Sequence, residues 1–362
     1  MFYFISLAAV LFILSCLLIA YFVHKNFSGC EKNYQATTDK KFSILIAAKN
    51  EELKIPDLIK SLAMLNYPAD KTEIIIADDN STDNTYYSAL KTAEPFPHIK
   101  VLKAAEKKLP GKKGVLDYAL SKACNEYILI TDADCIPERE WVNKYSIRFS
   151  EGYNFLFGIA PFIPDGNITN KISCFENMRS SLITFAAAGM AIPYSASARN
   201  FGFRKSSFIY LNGYFNTRQT LSGDDDLLLK EAFKNKLKIG TVPFEGSKVF
   251  SYTKNNLKDY LRQKSRHTKT SFYYLPLHRI LLSFWHLSNI FFLLSPLLSM
   301  VNPLFLLLFL IKISSDLFLV LMFQKKFGYG FRPLHIIYLQ FFYEFFLVLN
   351  LFGALFKKDK WN

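Results

Sequence analysis

The sequence predicts an α/β protein built on a mostly parallel, doubly wound sheet, with helical segments at both ends long enough to cross a bilayer. Three observations predict this. Runs of β-formers alternate with helical stretches, the pattern of strand–helix–strand units. Several of these runs end in acidic or polar residues, which gathers them along one rim of the sheet. The apolar excess, 51% of 362 residues with 36 Phe, is concentrated at the two ends and is more than a single soluble domain of ordinary composition carries.

From the N-terminus, Phe2 to Val23 is uncharged and apolar, about the length a bilayer core of ~30 Å requires at ~1.5 Å per helical residue. A cleaved signal peptide is the competing reading. The run lacks a basic leader and an A-x-A-like cleavage site, and His24-Lys25 follows directly, so residues 1–24 read as a retained anchor. Residues 25–40 form a polar tether. Phe42 to Ala48 is the first strand, followed by Lys49-Asn50-Glu51-Glu52 and a helical stretch to about Leu65. Pro56 suits a first helical turn, so that helix is expected to begin near it. Glu73 to Ala77 is the second strand and ends in Asp78-Asp79-Asn80-Ser81-Thr82-Asp83. Asn80 and Ser81 form turns, and Ser81, Thr82 or Asp83 can cap the next helix. Ile99 to Leu102 is a shorter strand, and Lys112-Lys113-Gly114 opens a helix through Leu120.

Tyr127 to Thr131 is the most informative strand, because it runs straight into Asp132-Ala133-Asp134. Where the chain leaves a sheet, neighbouring acids diverge: one carboxylate reaches a divalent cation and the other a hydroxyl. Hard cations such as Mg²⁺ or Mn²⁺ favour such oxygen ligands, with phosphate oxygens completing the shell. A solvated acidic turn is the plainer explanation of an isolated DxD, but this one ends the third strand in a series with the same layout.

At the other end, Ile280 to Ile311 has no Asp, Glu, Lys or Arg and exceeds one span; Asn302-Pro303 breaks it. Spans are expected near 282–300 and 303–323, with a further one over 334–356. Lys312 and Asp316 lie four apart and can pair toward a bundle interior, while Glu344 is the sole charge of the last span. These segments make a C-terminal membrane region over 280–356, followed by a basic tail, 357–362.

The motifs, in order, resemble family 2 glycosyltransferases, inverting enzymes of the GT-A fold. The resemblance rests on Ala47-Ala48-Lys49-Asn50-Glu51-Glu52, Ala77 to Asp83, and Thr131 to Asp134. It continues through Arg199 to Arg204, Gly213-Tyr214, Ser222-Gly223-Asp224-Asp225-Asp226-Leu227, and Gln263-Lys264-Ser265-Arg266-His267. It implies a GT-A domain over 41–275. Asp134 and Asp132 would bind Mn²⁺ or Mg²⁺. Ala47, Lys49, Asn50, Glu51, Asp78, Asp79 and Asp132 would hold the nucleotide sugar, with Lys112 or Lys113 available to the same pocket. Arg204, Gln263, Arg266 and His267 would lie toward the diphosphate and acceptor. The acidic motif supplies the base; aligned on Asp226-Leu227 that is Asp224, and aligned on the paired acids it is Asp225. An acidic cluster opening a helix over Leu227 to Phe233 is also favourable by itself. His267 stands where membrane-bound synthases of the family carry tryptophan, which implies transfer of one or a few sugars rather than processive synthesis. The expected reaction moves a sugar from a UDP-linked donor to a lipid or glycan hydroxyl at the inner (plasma) membrane, from a cytoplasmic catalytic domain.

The net charge of +14 does not imply nucleic acid as a partner, because no nucleic-acid module accompanies it. Lys254, Lys258, Arg262, Lys264, Arg266 and Lys269 crowd the approach to the membrane, opposed mainly by Asp259, and suit anionic headgroups or a lipid-carrier phosphate. With His24-Lys25 they place the catalytic domain inside under the positive-inside rule. Three C-terminal spans then leave Lys357, Lys358 and Lys360 outside, against that rule: the last segment is re-entrant, or one hairpin arm does not cross, or the tail is tolerated because earlier charges dominate, and three spans are kept. Five cysteines without CxxC spacing imply neither a disulfide framework nor a zinc site. A sugar nucleotidyltransferase would need a glycine-rich phosphate loop, and Ala47 to Glu52 has none. A scaffold or transporter with a degenerate domain would have no use for intact acids at every motif.

Overall fold

The computed structural model describes residues 2–29, 39–254 and 256–356. The N-terminal half runs α1 (Phe2–Ser28), β1 (Phe42–Ala48), α2 (Ile55–Ala63), β2 (Thr72–Asp78), α3 (Thr85–Ala93) and β3 (Ile99–Lys103). Then follow α4 (Gly111–Lys122), β4 (Tyr127–Asp132), β5 (Cys135–Pro137), α5 (Trp141–Ser150) and β6 (Phe155–Gly158). Next come α6 (Ile168–Gly189), β7 (Phe201–Arg204), α7 (Lys205–Tyr210), α8 (Asp226–Lys234), β8 (Ile239–Val242) and β9 (Val249–Ser251). The chain closes with α9 (Leu257–Ser271), α10 (Pro276–Leu294), α11 (Phe305–Phe323) and α12 (Pro333–Phe356).

Two compact units divide these elements. The sheet unit holds β1 to Ile163 and Ile192 to Tyr252. Its seven-stranded sheet has the order β3-β2-β1-β4-β7-β6-β8. β1, β2, β3 and β4 are mutually parallel, and β7 runs antiparallel to β4 and β6. β1 and its neighbours are near-continuous apolar runs because helices cover both faces of such a sheet. Phe42, Ile44, Ile46, Ile74, Ile76 and Leu129 pack with Trp141, Tyr145 and Phe149 of α5 in its core. The chain winds outward from β1 to β3 and then returns to lay β4 on the other side of β1. The carboxyl ends of β1 and β4 therefore flank the point where strand order reverses, which is where open α/β sheets bind ligands.

The helical unit holds α1, Pro164–Ala191 and the chain from Thr253 through α12. The sequence predicts one continuous domain over 41–275, and the structure corrects this: α6 and α9 group with the apolar helices. The reason is visible at their contacts. A Cβ on Gly189 would lie 2.8 Å from the Phe22 carbonyl of α1, so the two backbones meet where only glycine fits. Asn26 Nδ2 donates to the Phe185 carbonyl at 2.6 Å, and Arg179 of α6 is buried against Asp316 of α11. Among the described residues, four helices are long and apolar enough to cross a membrane: α1, α10 with the turn after it (Pro276–Leu298), α11 and α12. The basic tail and most of the tether, residues 30–38, lie outside the described residues.

Candidate active site

Two loops latch together at the rim. The register sets Ala47 beside Asp132 and Ala48 beside Asp78. Beyond β1 the chain turns through Asn50, whose φ of 55° is left-handed and among the conformations asparagine tolerates best. The Asn50 amide donates to Ser81 Oγ at 3.0 Å, and its Oδ1 accepts from the Thr82 amide at 2.9 Å. The Glu51 amide donates to Thr85 Oγ1 at 2.7 Å, and the Asp79 amide donates to the Ala48 carbonyl at 2.8 Å. Asn84 precedes α3, and Asp83 supplies the capping interaction by accepting from the Thr85 amide at 3.0 Å. Asp78 faces inward on its own turn, accepting from the Ser81 amide at 3.1 Å. It holds the loop's shape, while Asp79, 3% exposed, keeps its carboxylate for Lys107 and for Lys49 at 3.7 Å. Lys107 is a site residue the motifs did not single out.

Lys112 stands at the centre of the second half. Pro110 and Gly111 start α4, and Gly111 takes a φ of 66°. The turn that follows sends Lys112 and Lys113 to different partners. Lys112 Nζ lies 2.6 Å from Asp132 Oδ1 and 2.7 Å from Asp224 Oδ2. Burial pushes its pKa down, but the Asp132 and Asp224 carboxylates outweigh that and hold it well above the ordinary lysine value. Lys113 instead donates to the Thr217 and Thr220 carbonyls at 2.6 and 3.1 Å, and burial brings its pKa down to about 8. The expected donor contact of Lys113 is thus corrected: its ammonium braces the 217–220 loop, and Lys112 faces the acids.

The three acids of the next motif separate cleanly. Asp225 caps α8, accepting from the Ala198 amide at 2.6 Å and the Asp226 amide at 2.7 Å. Asp226 accepts from Ser195 Oγ at 2.7 Å and the Ala196 amide at 3.0 Å. Both are committed to holding the backbone of 195–198. Asp224 alone turns to Lys112, and although burial pushes its pKa up, the lysine brings it below the usual carboxylate range. Burial and the neighbouring Asp226 and Asp224 push Asp225 well above that range. Tyr214, 2% exposed, carries a hydroxyl without a hydrogen-bond partner among the described residues. Burial and then Asp224 raise its pKa.

Asp132, Asp134 and Cys135 have ligand atoms within 4.8 Å of one another. The Cys135 thiol is buried, and burial followed by Asp134 and Asp132 pushes its pKa well up, which disfavours the thiolate beside these acids. The ionisable donors that remain are oxygens on two partly exposed aspartates, which fits a hard divalent cation with room for phosphate oxygens. Lys54 approaches Asp134 at 3.7 Å and Glu51 at 3.4 Å, tying the DxD to the β1 loop.

Arg204 is not part of this rim. Because β7 runs antiparallel to β4, Arg204 pairs with Tyr127, at the opposite end of β4 from Asp132. Its guanidinium donates to the Tyr153 and Phe149 carbonyls at 2.9 and 3.2 Å, so the expected acceptor contact is corrected to a structural one. Gln263, Arg266 and His267 lie on α9 of the helical unit.

Comparison with known proteins gives the family and the fold. The model for glycosyl transferase family 2 matches residues 43–210, and that for glycosyl transferase family group 2 matches 127–353, more than half of the chain. The chain belongs to the family 2 glycosyltransferases. The transferase is 42% identical over 92 residues to a β-monoglucosyldiacylglycerol synthase of Nostoc sp. strain PCC 7120, a stretch covering 25% of this chain and 20% of that one. It is 30% identical over 112 residues to the Staphylococcus aureus poly(ribitol-phosphate) β-N-acetylglucosaminyltransferase TarS, covering 30% and 18% respectively. The transferase therefore spans about a fifth of the length of these curated relatives. Its fold is similar to that of a mannosyltransferase from Pyrobaculum calidifontis solved with GDP-Man and Mn²⁺, with a TM-score of 0.58 at 14% identity over 98% of this chain and 100% of the other. The sheet unit has the GT-A fold.

Proposed function

We propose that this chain is a membrane-bound inverting glycosyltransferase that moves a sugar from a nucleoside diphosphate sugar, UDP-linked, to a hydroxyl of a lipid or glycan. One observation carries the reading: Asp132 and Asp224, from separate motifs, converge on the single ammonium of Lys112 beside Asp134. Charges of that density at a sheet's switch point suit an anionic, metal-bound diphosphate. The Asp79–Lys49–Lys107 cluster would hold the base and ribose, and the Asn50–Glu51 loop would close over the nucleotide. Asp132 and Asp134 would hold Mn²⁺ or Mg²⁺, which when bound supplies positive charge to the departing diphosphate. Asp224, ionised beside Lys112, would take the proton of the acceptor hydroxyl. That oxygen then bonds to the anomeric carbon from the face opposite the leaving group, and the bond to the diphosphate breaks. Asp225 would position this base by fixing the start of α8. Gln263, Arg266 and His267 would serve the acceptor side, with His267 favouring non-processive transfer.

The apolar helices α1, α10, α11 and α12 support membrane attachment, and the lipid-directed name of the Nostoc relative supports a lipid acceptor. We place the sheet unit on the cytoplasmic side, where nucleotide sugars are made. Measuring UDP release from a panel of UDP-sugars, by detergent-solubilised enzyme with Mn²⁺ and a diacylglycerol acceptor, tests the reading. One sugar turned over with acceptor-dependent product is expected. No release from any nucleotide sugar with any acceptor would leave a non-catalytic role.

A further inference from the structure

The helical unit buries a polar network that sugar transfer does not use. Arg179 of α6 pairs with Asp316 of α11 and donates to Asn289 Oδ1 of α10 at 3.2 Å. Lys312 of α11 pairs with the same Asp316 and lies 3.6 Å from Glu344 of α12. The four ionisable groups sum to zero charge. Their hydrogen bonding does not balance in the same way. Glu344, 3% exposed, has neither carboxylate oxygen hydrogen-bonded among the described residues, and Gln340, 1% exposed and one turn earlier, has neither amide atom bonded. On α10, the buried Trp285 Nε1 and His286 Nδ1 are likewise without partners among the described residues. Arg179 links the two helices: it lies over the Trp285 ring of α10 and the Tyr343 ring of α12, 6.0 and 5.4 Å from their centroids, and Tyr343 sits between Gln340 and Glu344 in the chain. The His286 and Tyr343 ring centroids lie 6.5 Å apart across α10 and α12.

A buried polar atom left unmet costs free energy, more so in hydrocarbon, and polar side chains within membrane helices mark bound or transported groups. We propose that Trp285, His286, Gln340 and Glu344 form a binding site for the uncharged, hydroxyl-bearing headgroup of a membrane lipid, such as a diacylglycerol. The zero charge sum disfavours an anionic headgroup, since Glu344 would face it. Spare acceptors on Glu344 and Gln340 take hydroxyl protons, and the indole N–H and the Gln340 amide donate to hydroxyl oxygens. The site requires α10 and α12 to lie in a bilayer, but it does not require the transfer reaction, and binding is measured without a nucleotide sugar.

The test is native mass spectrometry of the full, delipidated chain titrated with dioleoylglycerol, phosphatidylglycerol or free glycerol. Dioleoylglycerol should bind at one saturable site, and Gln340→Leu should weaken it about tenfold through two lost hydrogen bonds. Glu344→Gln, which leaves the network one positive charge in excess, should admit phosphatidylglycerol that the native protein rejects. Melting curves of both variants screen for misfolding, and Trp285→Phe, which removes the indole N–H together with the five-membered ring that carries it but keeps an aromatic face, provides a second, milder loss. Unchanged dioleoylglycerol binding in folded Gln340→Leu and Trp285→Phe, or a native preference for phosphatidylglycerol, would overturn the proposal. Equal competition by free glycerol would overturn the lipid as its source.

Discussion

Replacing Lys112 by Met keeps the side chain's length and removes the charge that joins Asp132 to Asp224. Asp132 has 31% of its side chain exposed and can rehydrate, but Asp224 at 12% cannot do so fully. Removing one partner of a buried ion pair costs ~3–5 kcal/mol, and the partial exposure of Asp132 argues for the lower end, about 3 kcal/mol. For a unit of this size each kcal/mol moves the melting midpoint by ~2–4 °C, so a drop of ~6–12 °C follows. Asp224 has its pKa lowered by the lysine, so its contribution is fully present above the ordinary value of 3.8 and fades as pH falls through the folded value. The gap between native and variant should therefore be constant near neutrality and narrow in acid, and again only in strong alkali where Lys112 itself loses its proton. Thermal melting followed by the fluorescence of Trp141, buried in the sheet unit, reads the effect. Lys108→Met, at an exposed neighbour, is the control. A Lys112→Met midpoint within about 2 °C of the control would show that the bridge does not hold these acids together.

Asp224→Asn should lower turnover by ~10²–10⁴ with donor affinity nearly intact, measured as initial rates alongside donor titration. Asp225→Asn should instead lower stability, because an amide cannot accept from both the Ala198 and Asp226 amides; the reverse outcome would move the base to Asp225. Gly158→Ala would drive a methyl group into the Asn200 side chain, which joins Trp141, Tyr145, Ile159 and Ser247, so a loss of about 3 kcal/mol in denaturant unfolding is expected. Cys124 is the exposed free cysteine among the described residues, and in a Cys30→Ser background it should resist an impermeant maleimide on intact cells. Labelling there would place the sheet unit outside.

What the sequence made legible follows from how local its signals are. Asp132 and Asp134 could be placed because a strand ending is a local feature, and the strand–helix alternation fixed which rim they reach. Lys112 and Lys113 could not be told apart, because their facing depends on the turn at Gly111 and on a loop a hundred residues away. Arg204 was misdirected because its motif does not reveal that β7 runs antiparallel, which carries its last residue to the far rim. The helix α6 is not legible in the sequence because Asn170, Lys171, Glu176 and Arg179 interrupt its apolar pattern; Glu176 finds its partners on α9 and Arg179 on α10 and α11. Asp224 and Asp225 are alternatives in the sequence, because the Ala198 and Asp226 amides that Asp225 accepts from are brought to it only by the fold.

The central claim is a cation-assisted nucleotide site built on the DxD, and calorimetric titration of UDP into the solubilised protein tests it most directly. With Mn²⁺ present, UDP should bind at one site. With EDTA, or with Asp134→Asn in Mn²⁺, affinity should fall at least about tenfold, the loss of one charge-assisted contact, while the melting midpoint stays near that of the native protein. UDP binding that survived both EDTA and Asp134→Asn unchanged would contradict the account.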